Sequence, residues 1–431
     1  MKLSKYSFVI KRGPDYVLYN CWTEKMAVLE ERLKEWLESS DVNHIQKIHP
    51  EFYNYLLREK FIVDNEVNEV EEVIKEWKKE ENSDSFGLMI NSTLDCNMQC
   101  WYCYEKHKKG SDLTIETSAA LLKLVKKKIQ EPQFRKIHIS FFGGEPLLNF
   151  NTVIWPFLVK VDKMCQEQKK LFSTSMTSNS YLLSNDIIEK FLSLHTNKPV
   201  LIQVTIDGNE EMHNKTRYLY GGGKSYQIIL SNIKQALNKG IKITLRFNCT
   251  NNNIRTFVDV LSDLSDLTEQ EKSNMTIDLQ RVWQDPFRSD VDMNYEQLKL
   301  RKLFIQKGFI VNPLRHINPS RCYADNDNHV VVNYNGDLYK CSARDFTSEN
   351  REGVLTSDGK MEWNEKRALR EKLKYGNKTC LSCRIYPLCH GGCSQGKMDR
   401  ERETGCLKRY TDIDKIKIIQ DRVEFLLEQF V

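Results

Sequence analysis

The chain has 431 residues, 40% of them hydrophobic, which is enough to bury a large core over about two or three domains. Its net charge of +5 is too weak a bias to predict a nucleic-acid or anionic-membrane partner. Charges interrupt the first residues, and no later run approaches the roughly 20 apolar residues that span a bilayer, so we expect a cytoplasmic protein.

The N-terminal residues 1–86 predict a small first module. Two segments of alternating apolar and polar residues, 6–11 and 16–21, flank Gly13-Pro14-Asp15 and indicate a β-hairpin. The elements expected after this hairpin are helices near 26–37 and 51–59, a strand at 61–64, and an acidic helix with a linker over 66–84. This order is typical of a winged-helix-like module, and its many acidic residues argue against DNA binding.

Strands and helices alternate from residue 87 onward. The predicted strands cover 88–92, 136–142, 172–177, 200–206, 242–249 and 275–282. The predicted helices cover 115–129, 152–167, 186–194, 226–238, 254–267 and 295–307. Six β-α units in a row predict a parallel sheet, either an open doubly wound sheet or a partial barrel. A cysteine-rich region, 319–407, and an amphipathic helix, 413–429, follow.

The 13 cysteines indicate metal binding more than disulfide formation. A reducing cytosol keeps thiols free, and thiolates spaced two to five residues apart are typical metal ligands. Ten of the cysteines lie either in the segment 96–103 or in the cysteine-rich region 319–407. The other three, Cys21, Cys165 and Cys249, are expected to be small buried apolar residues.

The spacing of Cys96, Cys100 and Cys103 predicts an iron–sulfur site. The pattern C-x3-C-x2-C can hold three corners of a [4Fe–4S] cluster and leave the fourth iron open to a small molecule. For these cysteines alone, a structural zinc loop is the alternative. At the end of the second predicted strand stands Gly143-Gly144-Glu145-Pro146, whose glycines permit a close backbone approach and whose carboxylate can pair with an amine. Together the two motifs resemble the radical S-adenosylmethionine (SAM) enzymes.

The resemblance implies a fold, a reaction and a set of SAM contacts. The fold is α/β, a partial (β/α)6 TIM-like barrel over residues 87–310, and the reaction starts with a 5′-deoxyadenosyl radical that abstracts a hydrogen atom. The contacts implied are Gly143, Gly144, Glu145 and Pro146 for the amino group, Tyr102 near the adenine, Ser178 for the ribose and Arg217 for the carboxylate. Arg217 closes a run, His213-Asn214-Lys215-Thr216-Arg217, that is similar to one in peptide-modifying members, with Asn214 where they have Asp.

Seven C-terminal cysteines resemble the SPASM domain, which binds two auxiliary [4Fe–4S] clusters. The resemblance implies that Cys380, Cys383, Cys389 and Cys406 hold auxiliary cluster II, and that Cys322, Cys341 and Cys393 hold auxiliary cluster I, with one iron open or bound by another group. The expected domain covers residues 311–431, and the chain would carry three [4Fe–4S] clusters in all. A pair of zinc ribbons is the alternative. His390 could be a ligand, although a packing histidine is favoured.

The leading functional hypothesis is an oxidoreductase that matures a ribosomally made precursor peptide. SPASM members act mostly on peptides and proteins, and the order of elements in residues 1–86 resembles a precursor-recognition element that captures a leader segment by strand addition. We expect an intrapeptide cross-link (thioether, ether or carbon–carbon) and a reductant such as ferredoxin or flavodoxin. The N-terminal module could instead be a structural cap.

Three other functions remain open from the sequence. One is an anaerobic sulfatase maturase that oxidises Cys or Ser to formylglycine. Another is a peptide dehydrogenase or an epimerase, and the epimerase would need a hydrogen donor such as Cys249 or Cys165. The third is an iron–sulfur or zinc scaffold that only binds a partner. Residues at the ends of the fifth and sixth strands, namely Arg246, Asn248, Asp278 and Gln280, are expected to line the pocket. The peptide, the bond formed and the catalytic base are not predicted.

Overall fold

The computed structural model describes residues 1–38, 42–81, 83–286, 292–314, 321–400 and 404–428. The chain divides into two compact units. The terminal unit combines Met1–Asn82, Arg315–Asp325 and Ala368–Val431, and the central unit combines Ser83–Leu314 and Asn326–Arg367. Within the described residues, every helix is too short or too polar to cross a membrane.

The strands are numbered in chain order. They are β1 (Lys2–Leu3), β2 (Ser7–Arg12), β3 (Asp15–Asn20), β4 (Lys25–Leu29), β5 (Ile62–Val63), β6 (Ser85–Asn91), β7 (Lys136–Phe142), β8 (Leu171–Thr177), β9 (Leu201–Ile206), β10 (Lys242–Cys249), β11 (Met275–Arg281), β12 (Ile310–Val311), β13 (His329–Val332), β14 (Asp337–Tyr339), β15 (Gly353–Leu355) and β16 (Met361–Trp363).

The α-helices follow the same convention. They are α1 (Glu31–Glu38), α2 (Val42–Ile48), α3 (Pro50–Arg58), α4 (Glu69–Glu81), α5 (Ile115–Gln130), α6 (Trp155–Glu167), α7 (Asn185–Leu192), α8 (Glu210–Thr216), α9 (Tyr226–Asn238), α10 (Phe257–Asp263), α11 (Glu269–Ser273), α12 (Met293–Gln306), α13 (Glu365–Leu373), α14 (Lys378–Leu381), α15 (Tyr386–Cys389), α16 (Ser394–Met398) and α17 (Asp412–Leu427).

The predicted N-terminal hairpin is confirmed, whereas the helix expected at 26–37 begins late. β2 and β3 pair antiparallel, and β4 adds to β3 as the third strand of a small sheet. The pattern of Met26-Ala27-Val28-Leu29 is compatible with a helix or a strand. The run forms a strand because pairing with β3 satisfies the backbone N–H and carbonyl groups of both segments. The helix therefore starts only at Glu31.

The terminal unit gathers residues from both ends of the chain into one core. Tyr6 just before β2, Tyr19 of β3, Trp77 of α4, Tyr386 of α15 and Ile419 of α17 are all buried in one hydrophobic cluster. The final helix, α17, matches its prediction, and residue 429, the last one expected in it, lies outside the described residues. The division into modules 1–86, 87–310 and 311–431 remains a prediction.

The central unit is built on a long, mainly parallel sheet, as the six β-α units predicted. Its strand order is β12-β11-β10-β9-β8-β7-β6-β13-β14-β15-β16, and β12 through β13 run parallel. Strands β6 to β12 follow one another in chain order, so the reversal that marks a doubly wound sheet does not occur. A parallel sheet whose strands follow one another in chain order curls toward a barrel. In the described residues its edge strands, β12 and β16, do not pair with each other, so the barrel is open.

The cysteine-rich region contributes strands that the sequence analysis did not predict. β13 adds parallel to β6, and β14, β15 and β16 extend the sheet antiparallel from it. These strands have only three or four residues each, which is too short for a period-two pattern to be recognised. Their place in the sheet is decided by the free edge of β6.

Candidate active site

The three predicted cluster cysteines lie on one loop of the central unit, directly after β6. An antiparallel bridge between Met98 and Leu219 holds this loop. Cys96 and Cys100 are half-buried and Cys103 is exposed. The backbone N–H of Cys103 donates to the carbonyl of Cys100 at 3.0 Å, which closes a turn. One short stretch of backbone therefore presents three thiols.

The Gly-Gly-Glu-Pro loop follows β7, the neighbour of β6, and contacts the cysteine loop through its backbone. Gly144 has a φ of +50°, and a Cβ added there would lie 2.1 Å from the carbonyl oxygen of Asp95. The N–H of Glu145 donates to the same oxygen at 2.7 Å. The N–H of Gly144 donates to Oε2 of Glu105, also at 2.7 Å. Only glycine permits this approach, so the two sequence motifs are held together at residue 144.

Glu145 is 1% exposed and already accepts three hydrogen bonds. Oε1 accepts from Oγ of Ser178 at 2.7 Å and from the N–H of Leu147 at 2.9 Å. Oε2 accepts from the N–H of Asn179 at 2.7 Å. Burial raises the pKa of this carboxyl, and the three donors oppose that shift. A carboxylate has about four acceptor sites, so one further donor can be accommodated. Pro146 starts the next turn and is not among the described residues that line the cavity.

A hydrogen-bond network joins the ends of three strands around Tyr102. Its hydroxyl donates to Oδ2 of Asp207 at 2.6 Å and accepts from Nη1 of Arg217 and Nδ2 of Asn248, each at 3.0 Å. Burial raises the pKa of Asp207 to about 6, against the opposing effect of the Arg217 charge. Among the described residues, Nε of Arg217 and Oδ1 of Asp207 are buried and lack a hydrogen-bond partner. Nε of Arg217 is therefore available to a bound polar molecule.

His213 and Asn214 position the network around Tyr102 through hydrogen bonds to nearby backbone groups. Nδ1 of His213 accepts from the N–H of Asp207 at 3.3 Å. Its Nε2 lies 3.1 Å from Oγ of Ser225, which donates to the carbonyl of Arg217 at 2.6 Å. Oδ1 of Asn214 accepts from the N–H of Ser225 and from the first N–H of α9, at 2.9 and 3.1 Å. The amide oxygen thus supplies the acceptor that an Asp would supply at this position.

The three cysteines, Glu145, Tyr102 and Arg217 border one cavity of about 200 Å³. Asp207, His213 and Asn214 are not part of its described lining. Its described lining includes Cys96, Cys100, Tyr102, Cys103, Glu105, Gly143, Gly144, Glu145, Ser178, Arg217, Arg246, Asn248, Arg281 and Trp283. Of the expected strand-end residues, Arg246 and Asn248 therefore line it. Asp278 and Gln280 hydrogen-bond to each other at 3.1 Å and are not part of the described lining.

The cavity fits an iron–sulfur cluster with SAM bound to it. Burial raises the pKa of all three thiols, that of Cys103 to about 12, so binding of iron must displace their protons. Across the described ranges, no three His, Cys, Asp or Glu side chains surround a single-ion site. A cube offers separate irons to its ligands, so it suits thiols that are spread around a cavity. Arg217 lines the cavity, and its buried Nε, which lacks a partner among the described residues, suits a polar end of SAM.

Glu105 and Trp283 are among the residues of the cavity that the sequence analysis missed. Burial raises the pKa of Glu105 to about 7, although the N–H of Gly144 opposes the shift. A carboxylate two residues after Cys103 was a signal that could have revealed it. Trp283 is 64% exposed where it borders the cavity, and its sequence surroundings carry no signal.

The two cysteines considered as hydrogen donors lie away from the cavity. Cys165 is 1% exposed on α6, and Cys249 is 0% exposed at the end of β10. Neither belongs to the described lining. Both are buried apolar residues, as expected from the sequence, and so is Cys21.

The terminal unit contains a second cysteine cavity, of about 360 Å³. Cys380, Cys383, Cys389 and Cys406, the residues expected to hold auxiliary cluster II, all line it. Gly376 makes room beside them, because a Cβ there would lie 2.6 Å from Cβ of Cys380. Arg384, Lys408 and Lys415 also line the cavity and would offset the charge of four thiolates. The four thiols in one cavity fit a fully ligated cluster.

The ligand roles considered for Cys322, Cys341, Cys393 and His390 remain predictions. Cys322 and Cys393 belong to the terminal unit and Cys341 to the central unit. The His390 ring packs against Trp77, with 5.1 Å between ring centroids, and burial lowers its pKa to about 4. These contacts are those of a packing histidine.

A family model matches the part of the chain that carries the two loops of the central cavity, the cysteine loop and the Gly-Gly-Glu-Pro loop. Residues 90–264 match the radical SAM superfamily. Among curated relatives, the radical SAM cyclopropyl synthase TigE of Paramaledivibacter caminithermalis is 22% identical over 391 residues, which are 83% of this chain and 78% of TigE.

Solved structures share the fold at low sequence identity. Native anSMEcpe with bound AdoMet, another name for SAM, has a TM-score of 0.58 and 18% identity, covering 80% of this chain and 97% of that one. SuiB of Streptococcus suis bound to its precursor peptide SuiA has a TM-score of 0.51 and 14% identity, covering 92% of this chain and 96% of that one.

Proposed function

From the premise that residues 90–264 are a radical SAM domain, which makes the chain a radical SAM enzyme, we propose that it modifies a ribosomally made precursor peptide. The expected product is an intrapeptide cross-link, of the thioether, ether or carbon–carbon type. The SAM and the cluster, when bound, supply a 5′-deoxyadenosyl radical that abstracts a hydrogen atom. The non-enzymatic scaffold considered from the sequence is incompatible with this premise.

The cavity residues divide the work of holding SAM. Cys96, Cys100 and Cys103 would ligate the cluster, and Glu145 would accept a hydrogen bond from the SAM amine. Arg217 keeps one buried N–H free, so it can donate to the SAM carboxylate. The network around Tyr102 fixes the guanidinium before SAM arrives, which lowers the entropy lost on binding.

The observation that carries the peptide proposal is the free edge of β4. In the described chain β4 pairs only with β3, and the hydroxyl of Tyr55 donates to the outward carbonyl of Met26 at 2.9 Å. Outward-facing groups alternate along a strand, so the N–H and carbonyl of Val28 also face out. The Val28 side chain is 68% exposed. An extended leader segment can add to such an edge through backbone hydrogen bonds.

The opposite edge of the same sheet is less accessible. The guanidinium of Arg384 donates to the carbonyl of Ser7 in β2 at 2.9 Å and to that of Lys5 at 3.3 Å. It also lies 4.4 Å from the ring centroid of Phe8. A leader segment is therefore expected at β4. The likeness to SuiB, which was solved with its precursor peptide, supports a peptide as the substrate.

Two further elements belong to the proposal. The C-terminal cysteines would form a SPASM domain with auxiliary clusters I and II, which brings the expected number of [4Fe–4S] clusters to three. A one-electron reductant such as ferredoxin or flavodoxin would supply the electron that SAM cleavage consumes.

The test of the proposal is anaerobic co-expression with the short peptide encoded beside the gene, followed by intact mass and fragment mapping. We expect loss of two hydrogens per cross-link in the peptide and no change with a Cys100→Ala enzyme. An unmodified peptide, with SAM still cleaved, would contradict the proposal and favour a folded protein substrate, as in formylglycine formation.

The role of the β4 edge is tested at a single position. Val28→Pro removes the outward N–H, and Pro is tolerated on edge strands. Val28→Ala keeps the N–H and is the matched control. We expect Val28→Pro to raise the Kd of the leader segment about tenfold or more and Val28→Ala to have a smaller effect. Equal Kd values for the two variants would exclude strand addition at β4.

A further inference from the structure

The cysteine loop of the central unit has an outer side that does not border the cavity. Cys100, Tyr102 and Cys103 line the cavity, whereas Trp101 between them does not. The Trp101 side chain is 56% exposed. An indole exposed to this extent between two predicted cluster ligands forms part of an outward surface.

Two tyrosines extend this aromatic surface. The N–H of Gln99 donates to the carbonyl of Tyr218 at 3.1 Å, and the N–H of Tyr220 donates to the carbonyl of Asn97 at 2.8 Å. This short antiparallel contact fixes the tyrosine segment beside the cysteine loop. Tyr218 is 38% exposed and Tyr220 is 61% exposed. Exposed apolar groups in one patch mark an interaction surface.

Three exposed lysines, Lys106, Lys108 and Lys109, follow the last cysteine of the C-x3-C-x2-C motif. Lys108 Nζ donates to the hydroxyl of Tyr334, and Lys109 Nζ lies 4.7 Å from the ring centroid of Tyr220. Neither forms an ion pair with a described residue. Lys106 does, with Asp345 at 3.4 Å. The surface therefore keeps two uncompensated positive charges.

Two carboxylates of the same loop, Asp95 and Glu105, do not cancel these charges at the surface. Oδ1 of Asp95 accepts from the N–H of Cys96 at 2.8 Å. The Glu105 carboxylate faces the cavity, where it accepts from Gly144. Asp112 is exposed and accepts from Nδ2 of Asn149 at 3.4 Å. We define the outer face by its six residues, Trp101, Lys106, Lys108, Lys109, Tyr218 and Tyr220.

We propose that the outer face is the docking surface for an acidic one-electron carrier protein. The inference rests on the proposed function only in requiring an external electron donor. One electron would pass from the reduced carrier to the cluster that Cys96, Cys100 and Cys103 would hold; no bond would form or break, and the carrier would be oxidised by one electron. Exposed aromatic groups among uncompensated cations suit a small, transient interface with an anionic partner. The peptide must reach the cavity, which lies on the other side of the loop.

The test measures the affinity of the anaerobic holoenzyme for an acidic flavodoxin by titration calorimetry at low and high salt. Lys108→Glu/Lys109→Glu should raise Kd at least about tenfold at low salt, and the difference should shrink at high salt. Tyr220→Ser should raise Kd severalfold without changing its salt dependence. The matched control, Lys160→Glu/Lys163→Glu on the exposed side of α6, makes the same charge change and should leave Kd unchanged.

A second readout separates this inference from the proposed function. With dithionite as reductant, Lys108→Glu/Lys109→Glu should keep wild-type iron content and SAM cleavage, because a small reductant needs no docking. An unchanged flavodoxin Kd in that variant, or an equal loss in the α6 control, would overturn the inference. It would also be overturned if Lys378→Glu/Lys417→Glu in the terminal unit weakened flavodoxin binding and the outer-face variant did not.

Discussion

The central cavity takes its three cysteines from residues 96–103, whereas the four cysteines of the terminal cavity are spread over residues 380–406. The central cysteines share their cavity with Glu145, Arg217 and Tyr102, and the buried Nε of Arg217 there has no described partner. The terminal cysteines share theirs mainly with apolar and basic side chains. The first arrangement leaves polar groups for a second ligand. The second provides a complete set of thiols and little else, which suits a cluster that only stores or passes electrons.

The largest expected effect is a loss of bound iron, which has different consequences for SAM in the two cavities. Cys100→Ala should lose about four irons and all SAM cleavage, because an iron of the SAM-binding cluster loses its ligand. Cys383→Ala should lose a similar amount of iron and keep SAM binding. Iron analysis and SAM titration check both variants. If Cys383→Ala abolished SAM binding, the two cavities would not be independent sites.

The next effect tests the close contact between the two motifs of the central cavity. Gly144→Ala places a Cβ 2.1 Å from the Asp95 carbonyl oxygen, so the loop must move. We expect the free energy of unfolding to fall by about 2–4 kcal/mol and SAM affinity to fall with it. Gly110→Ala is the control, because Gly110 has a φ of +71° and open space around it, and should cost about 1 kcal/mol. Equal losses would show that the contact at residue 144 is not tight.

A smaller effect tests the polar network that the terminal cavity lacks. Tyr102→Phe removes the hydroxyl that joins Asp207, Arg217 and Asn248, and should lower the free energy of unfolding by about 1–3 kcal/mol. SAM affinity should fall because the guanidinium is no longer held in place. Tyr104→Phe removes the bond to the carbonyl of Ser342 and should cost less. Denaturant unfolding and SAM titration measure both variants, and equal effects would contradict a role for the network.

The smallest expected effect is a pH dependence in the central unit. Burial lowers the pKa of His329 to about 3, below the value of 6.5 expected in the unfolded chain. Between these values the unfolded chain binds a proton that the folded chain does not, so stability is complete above pH 6.5 and is lost as the pH falls. The loss should be up to about 1 kcal/mol per pH unit. His329→Gln should flatten the dependence of the unfolding midpoint on pH from 7 to 5, and His49→Gln, at an exposed site, should not.

The sequence by itself determined the order of elements in the central unit and the residues of both cysteine sets. Runs of apolar residues with strand or helix period report local burial, so β7, β10 and α9 were predicted with bounds that match. The cysteine and Gly-Gly-Glu-Pro spacings are equally local. They identified the loops that border the central cavity, although they did not indicate how the loops contact each other.

Only the tertiary structure decided the features that depend on residues far apart in the chain. An open edge made a strand of Lys25–Leu29, and the edge of β6 received β13 from more than 200 residues away. The bonds of Tyr102 to Asp207 and Arg217, and of Glu105 to Gly144, join segments that carry no mutual signal in the sequence. A hydrogen bond depends on distance and direction in space, and one-dimensional patterns of hydrophobicity and spacing do not contain either quantity.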